Sequence, residues 1–257
     1  MKKLSGPIFA LLVLLIVLTI SGCSPAPAPE STVTPAPPTN TPEPTATSTS
    51  TPIPTKTPIP PTPTVAPPAV LQDYLENVVV TNMDDFSSSS GWELWSGKIS
   101  NGVLEIVGKD WNGLGKTGTF PEGTGILINF KYEKGSVFEM YYDYGDWQTD
   151  AYRRFGIYYW EGYPKANLWL GKRGLGFNNL HGNLESSGDT WYTLLMATDA
   201  DGEFLAVIWN PENPERTSVY HEKNEKWAGY NWRFRIGADE GTIIFDDFMK
   251  IKFSGIK

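Results

Sequence analysis

The sequence predicts an all-β fold over residues 70–257, with antiparallel sheets packed face to face as a sandwich. Three observations lead there. Short apolar runs recur roughly every ten residues, turn pairs such as Asn101-Gly102 and Asp201-Gly202 separate them, and no stretch carries the periodicity of a long amphipathic helix. Leu71 to Val78 allows at most one short helical turn where the chain enters this region.

The first strands are read at Val78-Val79-Val80, Val103 to Val107, Ile126 to Phe130 and Ser136 to Tyr144, and the middle ones at Phe155 to Trp160 and Leu168-Trp169-Leu170. Trp191 to Ala197, Phe204 to Trp209, Trp232 to Ile236 and Thr242 to Phe253 complete the series. Alternation is plainest where Trp232, Phe234 and Ile236 interleave with Arg233 and Arg235, because successive strand side chains point to opposite faces.

Ahead of this domain lie two segments of different character. Residues 1–22 begin with Lys2 and Lys3 and continue into an apolar run, Ile8 to Ile20, that is too short to span a bilayer core of about 30 Å. Small residues then lead to Cys23, the layout of a cleaved secretory signal. Ile20-Ser21-Gly22-Cys23 resembles the lipobox of bacterial lipoprotein signal peptides. The resemblance implies cleavage before Cys23, acylation of that residue, and a protein held by lipid at the cell envelope, facing outside the cytoplasm. Residues 23–69 are rich in Pro, Thr, Ala and Ser and repeat units such as Thr51-Pro52-Ile53-Pro54. They hold too little apolar surface to fold, so a disordered, semi-rigid Pro/Thr-rich tether is expected, rising about 3.1 Å per residue where extended.

Of the chain's 257 residues, those after the tether suffice for one domain with a substantial core. A formal net charge of −8 excludes nucleic acid as a principal partner, since that role needs a basic footprint. The single cysteine rules out an internal disulfide and a cysteine-based metal site. Two histidines, His181 and His221, are too few for a histidine-rich zinc centre and are read as surface loop residues. Lys172-Arg173 is read as a solvated turn.

Asp84-Asp85-Phe86, Gly91-Trp92 and Asn101-Gly102-Val103-Leu104, followed by Asp189-Thr190-Trp191-Tyr192 and Gly241 to Phe248, resemble in order and spacing the concanavalin A-like (laminin-G-like) jelly-roll superfamily. That resemblance implies an antiparallel jelly-roll β-sandwich and a function among lectins, carbohydrate-binding modules and glucanases. Because sugars pack their C–H faces on aromatic rings, aromatics away from the predicted core become the candidate site. Alternation puts Tyr141 and Asp143 opposite Phe138, Met140 and Tyr142, and Tyr158 and Trp160 opposite Phe155, Ile157 and Tyr159. Trp169 stands opposite its two leucine neighbours. Trp111, Trp147 and Tyr163, in intervening loops, extend the surface. The expected partner is a poly- or oligosaccharide, bound without catalysis in a cleft of these residues. The competing reading is that these rings are core and that the inside and outside of the sandwich are exchanged.

Two further function classes stay open at this stage. The Glu-x-Asp-x-x-Glu strand motif of the related glucanases is missing, and Glu139 and Asp143 stand about 13 Å apart on one strand, too far for a glycosidase pair. A hydrolase would need a third carboxylate on a neighbouring strand, near Glu161. An envelope adhesion or scaffolding domain that binds protein is the other alternative. The resemblance also implies a structural Ca²⁺ held by Asp84 or Asp85 with Asp246 or Asp247, for which hard oxygen ligands are suited. Alternation points Asp247 into the apolar side of the last strand, so it must be liganded, paired or removed from the core by a β-bulge.

Overall fold

The computed structural model describes residues 66–160 and 162–257. The signal segment, Cys23, nearly all of the tether and Glu161 lie outside the described residues.

A 3₁₀ turn at Ala69–Asp73 precedes the strands Leu75–Glu76 (β1), Val79–Asp84 (β2), Trp92–Leu94 (β3), Gly97–Ser100 (β4), Val103–Val107 (β5) and Asn112–Lys116 (β6). The middle of the chain forms Thr124–Tyr132 (β7), Val137–Tyr144 (β8), Arg153–Trp160 (β9), Tyr163–Leu170 (β10), Arg173–Asn179 (β11) and His181–Gly182 (β12). Then come Tyr192–Thr198 (β13), Glu203–Asn210 (β14), Asn213–Lys223 (β15), Arg233–Glu240 (β16), Thr242–Lys252 (β17) and Gly255–Ile256 (β18). The fold is an antiparallel jelly-roll sandwich. One sheet has seven strands in the order β11-β10-β9-β8-β16-β6-β3. The other has nine, in the order β12-β15-β14-β13-β7-β17-β5-β4, with β2 also paired to β17.

The chain crosses repeatedly between the layers, which is why residues far apart in sequence meet in the core. At one crossing, from β16 to β17, Gly241 adopts φ +74 and packs so closely on Ser136 that an added Cβ would lie 2.2 Å from its hydroxyl oxygen. Asn101 (φ 55) and Gly102 (φ 75) make the two-residue turn joining β4 to β5, in the left-handed geometry that matches strand twist.

Between the sheets lies an aromatic core. Phe130, Tyr132, Phe138, Tyr159 and Tyr192 are all at most 1% exposed, and Phe138 stacks on Tyr159 with centroids 4.6 Å apart. The phenol of Tyr142 donates to the Met196 carbonyl across the gap (3.2 Å). A second cluster covers the opposite face of the nine-stranded sheet. Leu127, Leu195, Leu205, Val207 and Trp209 are sealed there by Leu71 of the 3₁₀ turn and by Leu75 of β1, which pairs with β18. Strands β7, β13 and β14 are therefore buried on both faces and read as continuous apolar runs in the sequence.

Several expectations about local structure change. Trp92–Leu94, Asn112–Lys116 and Arg173–Asn179 are strands that the sequence did not announce. Arg173–Asn179 is exposed throughout, and its apolar alternation is confined to Leu175 and Phe177. Arg173 thus opens a strand after a turn rather than belonging wholly to that turn. His181 and His221 lie in strands β12 and β15 rather than loops, both exposed, and His221 Nε2 lies 3.3 Å from Glu203. Tyr163 begins β10 instead of lying in a loop.

Candidate functional site: an aromatic and arginine-lined cleft

Among the described residues, no element covers the outer face of the seven-stranded sheet as the lid covers its counterpart. Where β8, β9, β10 and β16 run side by side, a cleft of ≈ 1050 Å³ opens, and a smaller one of ≈ 350 Å³ adjoins it. Trp111, Tyr141, Arg154 and Trp169 line both, so the two form one continuous groove. Its floor is set by strand pairing. Tyr141 lies opposite Gly156 on one side and Arg235 on the other, and Asp143 lies between Arg154 and Arg233.

Two glycines make this floor possible. A Cβ at Gly156 would lie 2.4 Å from Glu139 Oε1 and 2.8 Å from Tyr141 Cβ, so any side chain there would displace both. A Cβ at Gly237 would lie 3.3 Å from the Trp111 carbonyl, which rests above that bare stretch of β16. Trp111 and its predecessor Asp110 have φ of 58° and 52°. Non-glycine residues adopt this region at a cost, and such strain gathers at functional sites. The loop presents the indole outward, 43% exposed, and stacks it on Tyr158 at 5.7 Å; Tyr158 in turn meets Phe177 at 4.9 Å.

Every carboxylate on the floor has an arginine partner. Glu139, 2% exposed, forms an ion pair with Arg154 and accepts from Asn167 Nδ2 at 3.0 Å. Arg154 Cζ also lies over Tyr141, 3.9 Å from its ring centroid, and burial lowers its guanidinium to about 10. Asp143 accepts from Arg233 Nε at 2.8 Å, while Arg233 Nη2 donates to the Gly145 carbonyl at 2.6 Å. Burial raises the Asp143 carboxyl above its ordinary value, and Arg235 and Arg233 only partly pull it back. Burial also pushes the Tyr141 phenol up to about 12, with the Asp143 charge adding to the effect. Tyr141 therefore keeps its proton and can donate to a ligand oxygen.

Of the residues singled out from the sequence, Trp111, Tyr141, Asp143, Trp147 and Trp169 meet around the larger opening, and Tyr158 lines the adjoining one. The rings of Tyr141, Tyr158 and Trp169 stand outside the sandwich, so inside and outside are not exchanged. Trp160 is not brought in: it ends β9, 51% exposed, opposite Tyr163 and outside both openings. Arg154, Arg233, Arg235, Asn167 and Phe177 were missed. The signal for the arginines was present, because Arg233 and Arg235 alternate with the core residues of their strand and Arg154 shares the phase of Tyr158. Phe177 had a weaker signal, a two-residue alternation in which Leu175 and Phe177 stand between Gly174, Gly176 and Asn178.

At the implied calcium position, Asp84 is neutralised by Lys116 and accepts from Trp92 Nε1 at 2.9 Å. Asp247 sits at a bulge with φ 52, where the register with β7 shifts between Asp246 and Phe248. The bulge turns Phe248 into the core and releases Asp247 from it, the remedy that alternation alone required. Among the described residues no three His, Cys, Asp or Glu side chains gather as a metal-binding group. Burial raises the Asp247 carboxyl, and the nearby charges of Asp246 and Asp85 add to that.

The fold is similar to that of solved jelly-roll structures described as lectins and glycosidases. Among solved structures, the chain is similar to basic winged bean lectin with Tn-antigen, at 9% identity and a TM-score of 0.51 over 70% of this chain and 100% of the lectin. It is also similar to a structure described with endo-acting O-glycanases of the human gut microbiota that initiate mucin breakdown, at 11% identity and a TM-score of 0.51 over 68% of this chain and 100% of that one. The CBM2 module of the evolved Dit of Lactobacillus casei BL23 phage J-1 matches at 10% identity and a TM-score of 0.50, over 71% and 98%. At such identities the likeness is one of fold. No protein-family model matches the chain, and no curated protein matches it in sequence.

Proposed function

We propose that this chain is a lipid-anchored, extracytoplasmic carbohydrate-binding protein. In this reading Cys23 carries the acyl chains, residues 23–69 act as the spacer, and the sandwich binds an oligo- or polysaccharide without hydrolysing it. The observation that carries the proposal is convergence. Trp111, Trp147 and Trp169 come from three separate segments, yet they line one groove beside fixed hydrogen-bonding groups. Ring faces accept the C–H faces of a sugar, and the charged and amide groups of the floor serve its hydroxyls. A non-catalytic role is supported by the state of the two carboxylates. Glu139 is tied to Arg154 and Asn167, and Asp143 to Arg233, so neither stands free to give or take a proton at a glycosidic oxygen. The sugar-binding folds among the structural neighbours agree with this reading.

The test is a glycan screen of the full chain with Trp169→Ala alongside. Loss of retention by the variant, with thermal unfolding within a few degrees of the parent, is the expected outcome. Trp169 is part of a groove wall and not of the core, and removing a ring that anchors a ligand costs about 2 kcal/mol or more, roughly thirtyfold in affinity. Undiminished retention by the variant overturns the assignment of the cleft.

A further inference from the structure

We propose that the ligand of this cleft is an anionic glycan, whose carboxylate or sulfate group is gripped by Arg235. The inference rests on the sugar-binding reading and narrows it to a class of ligand. Its starting point is a contrast of charge. The chain carries a net charge of −8, yet three of its arginines, Arg154, Arg233 and Arg235, line one groove.

These three are not equivalent. Arg154 is committed to Glu139 through Nε, at 3.0 Å, and through a terminal nitrogen. Arg233 is committed to Asp143 and to the Gly145 carbonyl. Arg235 has only a loose approach to the same Asp143, with Nε 3.4 Å from Oδ2, and that Nε is buried without a hydrogen-bond partner. The other acid at the opening, Asp146, directs Oδ1 to the Gln148 amide in its own turn. Arg233 and Arg235 therefore share the single carboxylate of Asp143, which leaves that trio with one positive charge in excess.

Arg235 is also held ready. Its guanidinium lies 5.1 Å from the Trp95 ring centroid, which restrains the plane while the side chain stays 25% exposed. Nε is sealed from the groove, so a ligand would meet the terminal nitrogens of the part-exposed side chain, and a planar guanidinium suits the paired oxygens of a carboxylate or sulfate. A neutral sugar hydroxyl satisfies that geometry less well and leaves the charge uncompensated. The aromatic walls then hold the sugar ring while Arg235 reads its acidic substituent.

The experiment measures binding of the full chain to polygalacturonate and hyaluronan (carboxylate), dextran sulfate (sulfate), and laminarin and mannan (neutral), at 0.05 and 0.5 M NaCl. The parent is expected to retain at least one anionic polymer and to lose affinity at high salt. Arg235→Ala is expected to weaken that binding at least tenfold, and Arg235→Lys to restore part of it, because charge returns without the fork. Preference for the uronates or for the sulfate polymer identifies which acid is read. Binding of laminarin or mannan unaffected by Arg235→Ala overturns this inference and leaves the sugar-binding reading intact. Binding of no polymer by a folded parent overturns both. Should Arg235→Ala unfold, Arg235→Lys with the salt series decides: salt-insensitive binding equal to the parent's overturns the inference.

Discussion

On the outside of the nine-stranded sheet stand Leu127, Leu195, Leu205, Val207 and Trp209; on the outside of the seven-stranded sheet stand Glu139, Tyr141, Asp143, Arg154 and Trp169. The first set cannot face water without cost, and the chain covers it with its own Ala69–Asp73 turn and the β1–β18 pair. The second set is left uncovered because each charge has a partner and each large ring retains a wet edge. Two outer faces of one sandwich thus differ by what their alternate residues are. A sheet face rich in aliphatic side chains recruits a lid, whereas one of arginine–carboxylate pairs and aromatics can remain open as a binding groove.

The largest way to break this contrast is to damage the closed face. Leu205→Ala removes a side chain that is 1% exposed and should lower stability by about 2–5 kcal/mol, read as a fall in the denaturation midpoint. Ligand affinity per folded molecule should not change; a parallel loss of affinity would mean that the two faces are coupled. A smaller effect concerns charge on the open face. Because burial raises the Asp143 carboxyl, the folded chain holds that proton more tightly than the unfolded one. Its stabilising contribution is full at low pH and declines as pH rises from the ordinary carboxylate value through the raised one. Asp143→Asn keeps the group uncharged, so the parent should lose stability relative to this variant over that rise, as measured by unfolding at a series of pH values. An opposite slope would show that Arg233 and Arg235 outweigh burial. The smallest effect is expected at Trp160→Ala. This exposed ring lies outside the groove, and its loss should leave both retention and unfolding unchanged, which sharpens the boundary of the site.

Alternation along β8 and β9 was enough to separate the core residues Phe138, Met140 and Tyr142 from Tyr141 and Asp143, because period-two patterning is a local property of a half-exposed strand. The same rule over-extended the site to Trp160, since sharing a face does not establish sharing a groove. The arginine partners were harder to see. That Asp143 meets Arg233 depends on β16 pairing with β8, a contact across 90 residues that no local pattern encodes. Likewise, the lid on the nine-stranded sheet was legible only as a few apolar residues from Leu71 onward. Its role became visible once β7, β13 and β14 were known to be buried twice over.

The pairing of β1 with β18 has a mechanical consequence. The first and last strands of the described chain are zipped together, with the Lys257 amide donating to the Tyr74 carbonyl at 2.9 Å and the Ser254 amide to Glu76 at 2.9 Å. Tension applied at the N-terminal end therefore meets this short ladder and the buried Leu71 first, on the side of the sandwich turned away from the groove. A domain pulled by its leading end in this way would peel its lid before it deformed the aromatic walls.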